Sequence, residues 1–415
     1  MNLSRRTLLG ASAAAAVAGA LSACSAKPGG GGGGEAGGDT VKLGINYELS
    51  GGVATYGQAS VVGIKMALDE LNEAGGIDGK KVELKEYDNK SDAAEATTLA
   101  NKLMAQDGVI ACMGPATSGN FKATVPVANK NKIPVVSGSA TADDVTVSGD
   151  KVEEYAFRIC FNDSFQGTIM AKFAAENLSA KTAVIIKDNS NDYSKGLASA
   201  FTEEFPGEIV AEEAFVAGDT DFNTILTRIK GETFDVIYLP GYYSEAGLII
   251  KQARDLGITA PVLGGDGFDS PKLLELGGAA ALNDVYFTNH YSSIDEDPKV
   301  KEFIEAFKKK NNEEPNAFHA LGYDLGKFVA DAVSRASELT GEAVQKAMAE
   351  TKGFVGVTGT FDMDENHNPV KSIVVIGLKD GVQDTSEKVG CARSQVGAVE
   401  SDGPGRASPM EGVGP

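Results

Sequence analysis

From Val41 onward the chain alternates between two hydrophobic periods. VKLGINY is a short alternating run that reads as a strand, and GIKMALDELNEAG then sets Ile64, Ala67, Leu68 and Leu71 on one helical face before Gly75 and Gly76 close it. VELKEYDN reads as a strand, DAAEATTLANKLMAQDG as a helix with Ala96, Leu99, Ala100 and Leu103 on one face, and VIACMG as the next strand. NFKATVPVANKNK and IPVVS continue the order. Strands and helices in strict alternation predict a parallel sheet covered by helices.

The rhythm restarts after YAFRICFND. FQGTIMAKFAAENL, TAVIIKDN, YSKGLASAFTEEF, EIVAEEAFV, NTILTRIKGE, FDVIYLPG, EAGLIIKQARDLG and APVLGGDG alternate again and predict a second parallel sheet. DVYFTNHY, helices through PKVKEFIEAFKKKN and NAFHALGYDLGKFVADAVSRA, and GTFDMDENHNPVKSIVVIGLKDG follow, the last reading as a hairpin that turns near Asn366. The fold class is α/β, and 415 residues with 42% hydrophobic content are enough for two cores.

The ends follow neither period. MNLSRRTLLGASAAAAVAGALSAC has a basic start at Arg5 and Arg6, an apolar run from Leu8 to Leu21 and small residues before Cys24, which is the layout of an export signal over residues 1–23. Ser4 to Leu9 resembles a twin-arginine signal, and Leu21-Ser22-Ala23-Cys24 resembles a bacterial lipobox, which makes Cys24 the expected lipid anchor. Residues 24–38, rich in glycine, read as a flexible tether, and residues 388–415 as a polar, disordered tail. Cys112 and Cys160 each lie in an apolar strand, where a disulfide and two buried thiols are both open readings; Cys391 has no evident partner.

Charge and motifs narrow the chemistry. A net charge of −20, from 38 Lys plus Arg against 58 Asp plus Glu, argues against nucleic acid as a partner. GxGxxG is matched at Gly29 to Gly34 only by the tether, with no strand before it. No GxxxxGK[ST], GxSxG, HExxH or CxxC occurs, and His290, His319 and His367 have no metal-ligand companion at helical spacing. A hydrolase or dehydrogenase on doubly wound sheets loses ground accordingly, and we expect no metal and no cofactor.

Two loops at strand ends carry what remains. GPATSG follows VIACM, and SGSAT follows IPVV; together they supply the hydroxyls of Thr117, Ser118, Ser139 and Thr141 and the N–H groups of a helix start, a setting that holds a small carboxylate without a cation. Ser and Thr are also ordinary helix caps. In the second half Asp266 stands between glycines in VLGGDGF, placed either to receive an ammonium group or to form a turn. Tyr56, Tyr193 and Tyr242 sit at loop positions suited to wall a small amphipathic ligand, or simply to pack.

The ordered series VKLGINYELSGGVATYGQ, ALDELNEAGGIDGKKVELKEYDNKSDAAEA, GPATSG, IPVVSGSAT, RICFNDSFQG, NDYSKG, GYYSEAG and GGDGF, spread over residues 40–381, resembles the periplasmic leucine/isoleucine/valine-binding proteins, type I solute-binding components of ABC importers. The resemblance implies two lobes, 39–161 with 288–359 and 162–287 with 360–387, joined by crossovers near Asn162, Phe287 and Gly359. It implies that Ser118 and Thr141 take an amino acid's α-carboxylate and that the Ser139 main chain, Tyr193 and Asp266 take the ammonium, with Thr117 and Ala140 also counted among the ligand-binding residues. Tyr56 and Tyr242 would line the cleft. Asp266 is often Glu in leucine-binding members, and the GPAT loop departs from theirs, so the ligand's side chain stays open. The expected protein is a lipid-anchored monomer outside the cytoplasmic membrane that serves an ABC permease and binds an amino acid, branched-chain or otherwise aliphatic. Delivery of a neutral amide or urea, and a sensing lobe for a separate receptor, are the alternatives.

Overall fold

The computed structural model describes residues 40–390. The export signal, Cys24, the tether and Cys391 lie outside that range. Among the described residues no helix is long and apolar enough to cross a membrane.

Two sheets organise the chain. The first has five parallel strands in the order Lys81–Asp88, Thr40–Tyr47, Cys112–Met113, Val135–Ser137, Ala156–Arg158. Thr40–Tyr47 lies inside it and is buried at almost every position, although its sequence alternates: Val41, Leu43, Ile45 and Tyr47 are apolar, and the small Gly44 and the hydrogen-bonded Asn46 are buried between them. The second sheet has seven strands, in the order Val382–Val389, Ile373–Lys379, Val285–Asn289, Val262–Gly264, Val236–Tyr238, Thr182–Asp188, Glu208–Phe215.

The second sheet is mixed, not wholly parallel. Ile373–Lys379 runs antiparallel to Val285–Asn289 and turns through Asp380 and Gly381, both at positive φ, into Val382–Val389. An Asp-Gly pair at positive φ is the connection a two-residue hairpin favours. The expected hairpin over residues 359–381 is therefore divided. Gly359–Phe361 pairs with Phe354–Gly356 and packs on Phe328, while residues 364–367 form a turn closed by a single bridge between Met363 and Pro369.

Three connections pass between the sheets. The first lies between Arg158 and the helix Asp163–Glu176, which Asn162 caps by accepting the Phe165 N–H. Phe287 is inside a strand of the second sheet, so the second connection follows Asn289; Gly359 is inside the small hairpin, so the third lies between Phe361 and Ile373. Cys112 and Cys160 are buried free thiols. One apolar cluster runs from Ile45 and Tyr56 to Tyr243 and Ile237, so the two lobes are packed together over the cleft between them.

Candidate functional site

The carboxyl ends of the two sheets face each other across a small cavity lined by Tyr56, Ala116, Thr117, Ser118, Ser139, Tyr193, Tyr242, Asp266, Gly267 and Phe318. This is the expected place in parallel α/β sheets. The first lobe supplies two loops. Gly114, at φ +86°, starts the first of them, and a Cβ there would lie 2.4 Å from the Asn46 carbonyl and 2.6 Å from the Tyr47 ring. The loop is held from beneath by Glu48, a fully buried carboxylate. It accepts the N–H groups of Ala116 (2.9 Å) and Thr117 (3.1 Å), the Thr117 hydroxyl (2.9 Å) and the Asn120 amide (2.9 Å). Thr117 thus lines the cavity while its hydroxyl is committed to Glu48.

Ser118 opens the helix Ser118–Asn131, and its Oγ accepts the Ala142 N–H at 3.1 Å, leaving its hydrogen to give. In the second loop the Ser139 hydroxyl donates to the Ala116 carbonyl (3.0 Å) and ties the loops together. The Ala140 N–H donates to Ser137 Oγ. Thr141 differs: it and Ala140 are not among the residues lining the cavity, its buried hydroxyl sits against the Asp163 carboxyl without a regular hydrogen bond, and its N–H finds no protein acceptor among the described residues. Behind this loop stands Arg158, fully buried, whose Nη1 donates to the carbonyls of Ala140 (3.3 Å), Thr141 (2.9 Å) and Ala142 (2.8 Å) while Nε donates to Asn368 (2.6 Å).

The second lobe presents Asp266, 3% exposed. Its Oδ1 accepts from the Tyr193 hydroxyl (2.8 Å) and the Gln166 amide (3.1 Å), and its Oδ2 is 3.1 Å from His290 Nε2. Burial pushes the His290 imidazole down to about 4, so at neutral pH it is uncharged and offers Nε2–H to the carboxylate. Among the described residues no Lys or Arg pairs with Asp266. The glycines beside it make room: a Cβ at Gly265 would lie 2.6 Å from the Tyr193 hydroxyl. Burial, and then the charge of Asp266, hold Asp163 well above the usual carboxylate range. Its Oδ2 has no partner and its Oδ1 shares the Gln166 amide at 3.2 Å.

Tyr56 stacks on Phe318 (4.3 Å between centroids) and meets Tyr242 edge-on, while Tyr242 stacks on Tyr193 at 5.1 Å. These rings wall the cavity. The lobes also touch directly, through Tyr56 to the Gly267 carbonyl (2.5 Å), Tyr243 to the Gly52 carbonyl (3.2 Å), Ser270 to Thr55 (3.1 Å) and Lys122 to Asp192 (2.5 Å). Of the residues picked out in the sequence, Tyr56, Thr117, Ser118, Ser139, Tyr193, Tyr242 and Asp266 line the cavity and Ala140 and Thr141 do not; Ala116, Gly267 and Phe318 on its surface, and Glu48, Asp163, Gln166, His290 and Arg158 behind it, were missed. Arg158 did leave a signal, a lone charge in the apolar strand AFRICF.

Two α/β lobes closed over a small cavity, with donors on one wall and a carboxylate on the other, form the architecture of a two-lobed binding protein. Residues 40–383 match the periplasmic binding protein family, and the chain belongs to it. It is 30% identical over 330 residues to the leucine-, isoleucine-, valine-, threonine- and alanine-binding protein of Pseudomonas aeruginosa, covering 79% of this chain and 86% of that one. It is 33% identical over 329 residues to a Leu/Ile/Val-binding protein of Rhizobium johnstonii, covering 78% and 88%. Among solved structures, a branched-chain amino acid transporter substrate-binding protein of Streptococcus pneumoniae, in complex with isoleucine, is similar with a TM-score of 0.81 at 44% identity, over 84% of this chain and 99% of that one.

Proposed function

We propose that this protein captures a branched-chain or other aliphatic amino acid between its lobes and presents the closed form to an ABC permease. The observation that carries the reading is the pair of unmet needs across one cavity. Asp266 is a buried carboxylate surrounded by neutral donors, and a ligand ammonium would supply the charge it lacks. Opposite, the Ser118 hydroxyl, whose hydrogen is free to give, and the helix start it stands on are donors without an anion. A zwitterion meets both, and the aromatic walls suit an apolar side chain. The names of its relatives support the same ligand class. A neutral amide or urea would leave Asp266 without a cation.

Cys24, outside the described residues, is proposed as the lipid anchor that holds a monomeric body at the outer face of the cytoplasmic membrane. Calorimetry of the purified protein tests the ligand. Leucine, isoleucine and valine should bind, and 4-methylpentanoate and 3-methylbutylamine, each lacking one charged group, should bind far more weakly. Tight binding of urea or acetamide without an amino acid response would sink the reading.

A further inference from the structure

The Asp266 carboxylate is oriented by groups that come from the connections between lobes. Gln166 lies one turn into the helix that follows the first connection, and its amide can face only one way. Oε1 accepts the Asp266 N–H at 3.2 Å and the Thr288 hydroxyl at 2.6 Å, and a backbone N–H cannot accept. Nε2 is therefore the donor to Asp266 Oδ1 and to Asp163 Oδ1. All four hydrogen-bonding positions of the amide are used, so it has no freedom to flip. His290 begins the second connection, directly after Asn289. Its ring stacks on Phe161 of the first connection at 3.6 Å between centroids and 14° between planes, which fixes the direction of Nε2 toward Asp266 Oδ2.

We propose that Gln166 and His290 are positioning residues that hold the Asp266 carboxylate for a ligand ammonium, so that amine recognition is set from the first and second interlobe connections. The proposal rests on the amino acid reading above. Tyr193, the third donor to Asp266, lies in the cavity wall and touches the ligand space itself; Gln166 and His290 do not line that cavity and act through the acid. Asp163 contributes a second acid behind the amide. Because Gln166 donates to both, loss of that one side chain frees two buried carboxyl groups to move or repel.

The experiment is leucine calorimetry on the full chain, with a double-mutant cycle. Gln166→Met, which keeps shape and removes both donated hydrogens, should weaken leucine at least tenfold, as expected when a charged group loses a hydrogen bond. In an Asp266→Asn background the same change should cost less than threefold, because its route has gone. His290→Gln, which keeps an N–H, should stay within about threefold of wild type, and His290→Phe, which keeps only the stack, should lose about tenfold. Melting of the unliganded variants separates misfolding from misplacement; if Gln166→Met melts early, the two His290 variants carry the test. Equal losses for Gln166→Met with and without Asp266, or equal affinities for the two His290 variants, overturn the proposal alone. A wild type that binds no amino acid overturns the functional reading and this proposal with it.

Discussion

Asp266 and Glu48 are both buried acids next to the cavity, and their partners separate their roles. Glu48 is saturated by two backbone N–H groups and a hydroxyl from one loop and by an amide from the helix that follows it, so its work is to hold that loop on its helix. Glu48→Gln would turn an NH2 group toward those donors and should lower unfolding stability by about 2 kcal/mol, measured by urea denaturation. Asp266 is served by donors that leave it without a countercharge. Asp266→Ala should weaken leucine by about 2 kcal/mol or more in calorimetry; an unchanged affinity would reduce it to a turn residue. Asp266 could be picked out in the sequence because GGDG sets it between glycines at a strand end. Glu48 could not, since its meaning depends on Ala116, which lies 68 positions away. Gln166 and His290 were hidden for the same reason.

At the scale of elements, the strands and helices with a strong period were legible and their polar neighbours were not. Val382–Val389 escaped because it is an edge strand, mostly exposed, with the polar sequence VQDTSEKV and no face to bury. The second and third interlobe connections fall later than expected because strand pairing, which the sequence does not display, decides where a run ends. The helix Ala317–Arg335 adds a cap that was also unread. Asn316 accepts the His319 N–H, and His319 Nδ1 accepts the Asn316 N–H in return. Burial pushes the His319 imidazole down to about 4, against about 6.5 in an unfolded chain. The unfolded state therefore takes up a proton that the folded state refuses between those values. Stability from this group is present above about 6.5 and lost as the pH falls toward 4. His319→Gln keeps a capping-box residue and removes the titration. The wild type should thus lose stability relative to this variant over that interval, as read by urea midpoints at several pH values; a pH-independent difference would exclude the linkage.

Across the whole molecule, the lobes are held together by contacts outside the small cavity between them as well as around it. Lys122 of the first lobe is held by Asp144 of its own lobe and reaches Asp192 of the other, immediately before Tyr193. Hydrogen bonding from Lys122 and Lys195 keeps the Asp192 carboxyl low, at about 2. Lys122→Met should speed ligand release about fivefold, the scale of a partly exposed ion pair, and leave the association rate nearly unchanged in stopped-flow mixing. It should also flatten the salt dependence of affinity. A release rate equal to wild type would show that closure owes nothing to this pair.

The grip of Arg158 has a consequence for the field inside an acidic body. With a net charge of −20, a ligand carboxylate approaches against the molecule's overall potential. A trans peptide points its N–H opposite to its C=O, so carbonyls drawn to the guanidinium turn the following N–H groups outward. One of these is the free Thr141 N–H; another donates to Ser118 Oγ and polarises that hydroxyl toward the cavity. The positive charge thus reaches the cavity by proxy, through peptide dipoles, and creates a local well for an anion in a molecule that otherwise repels one.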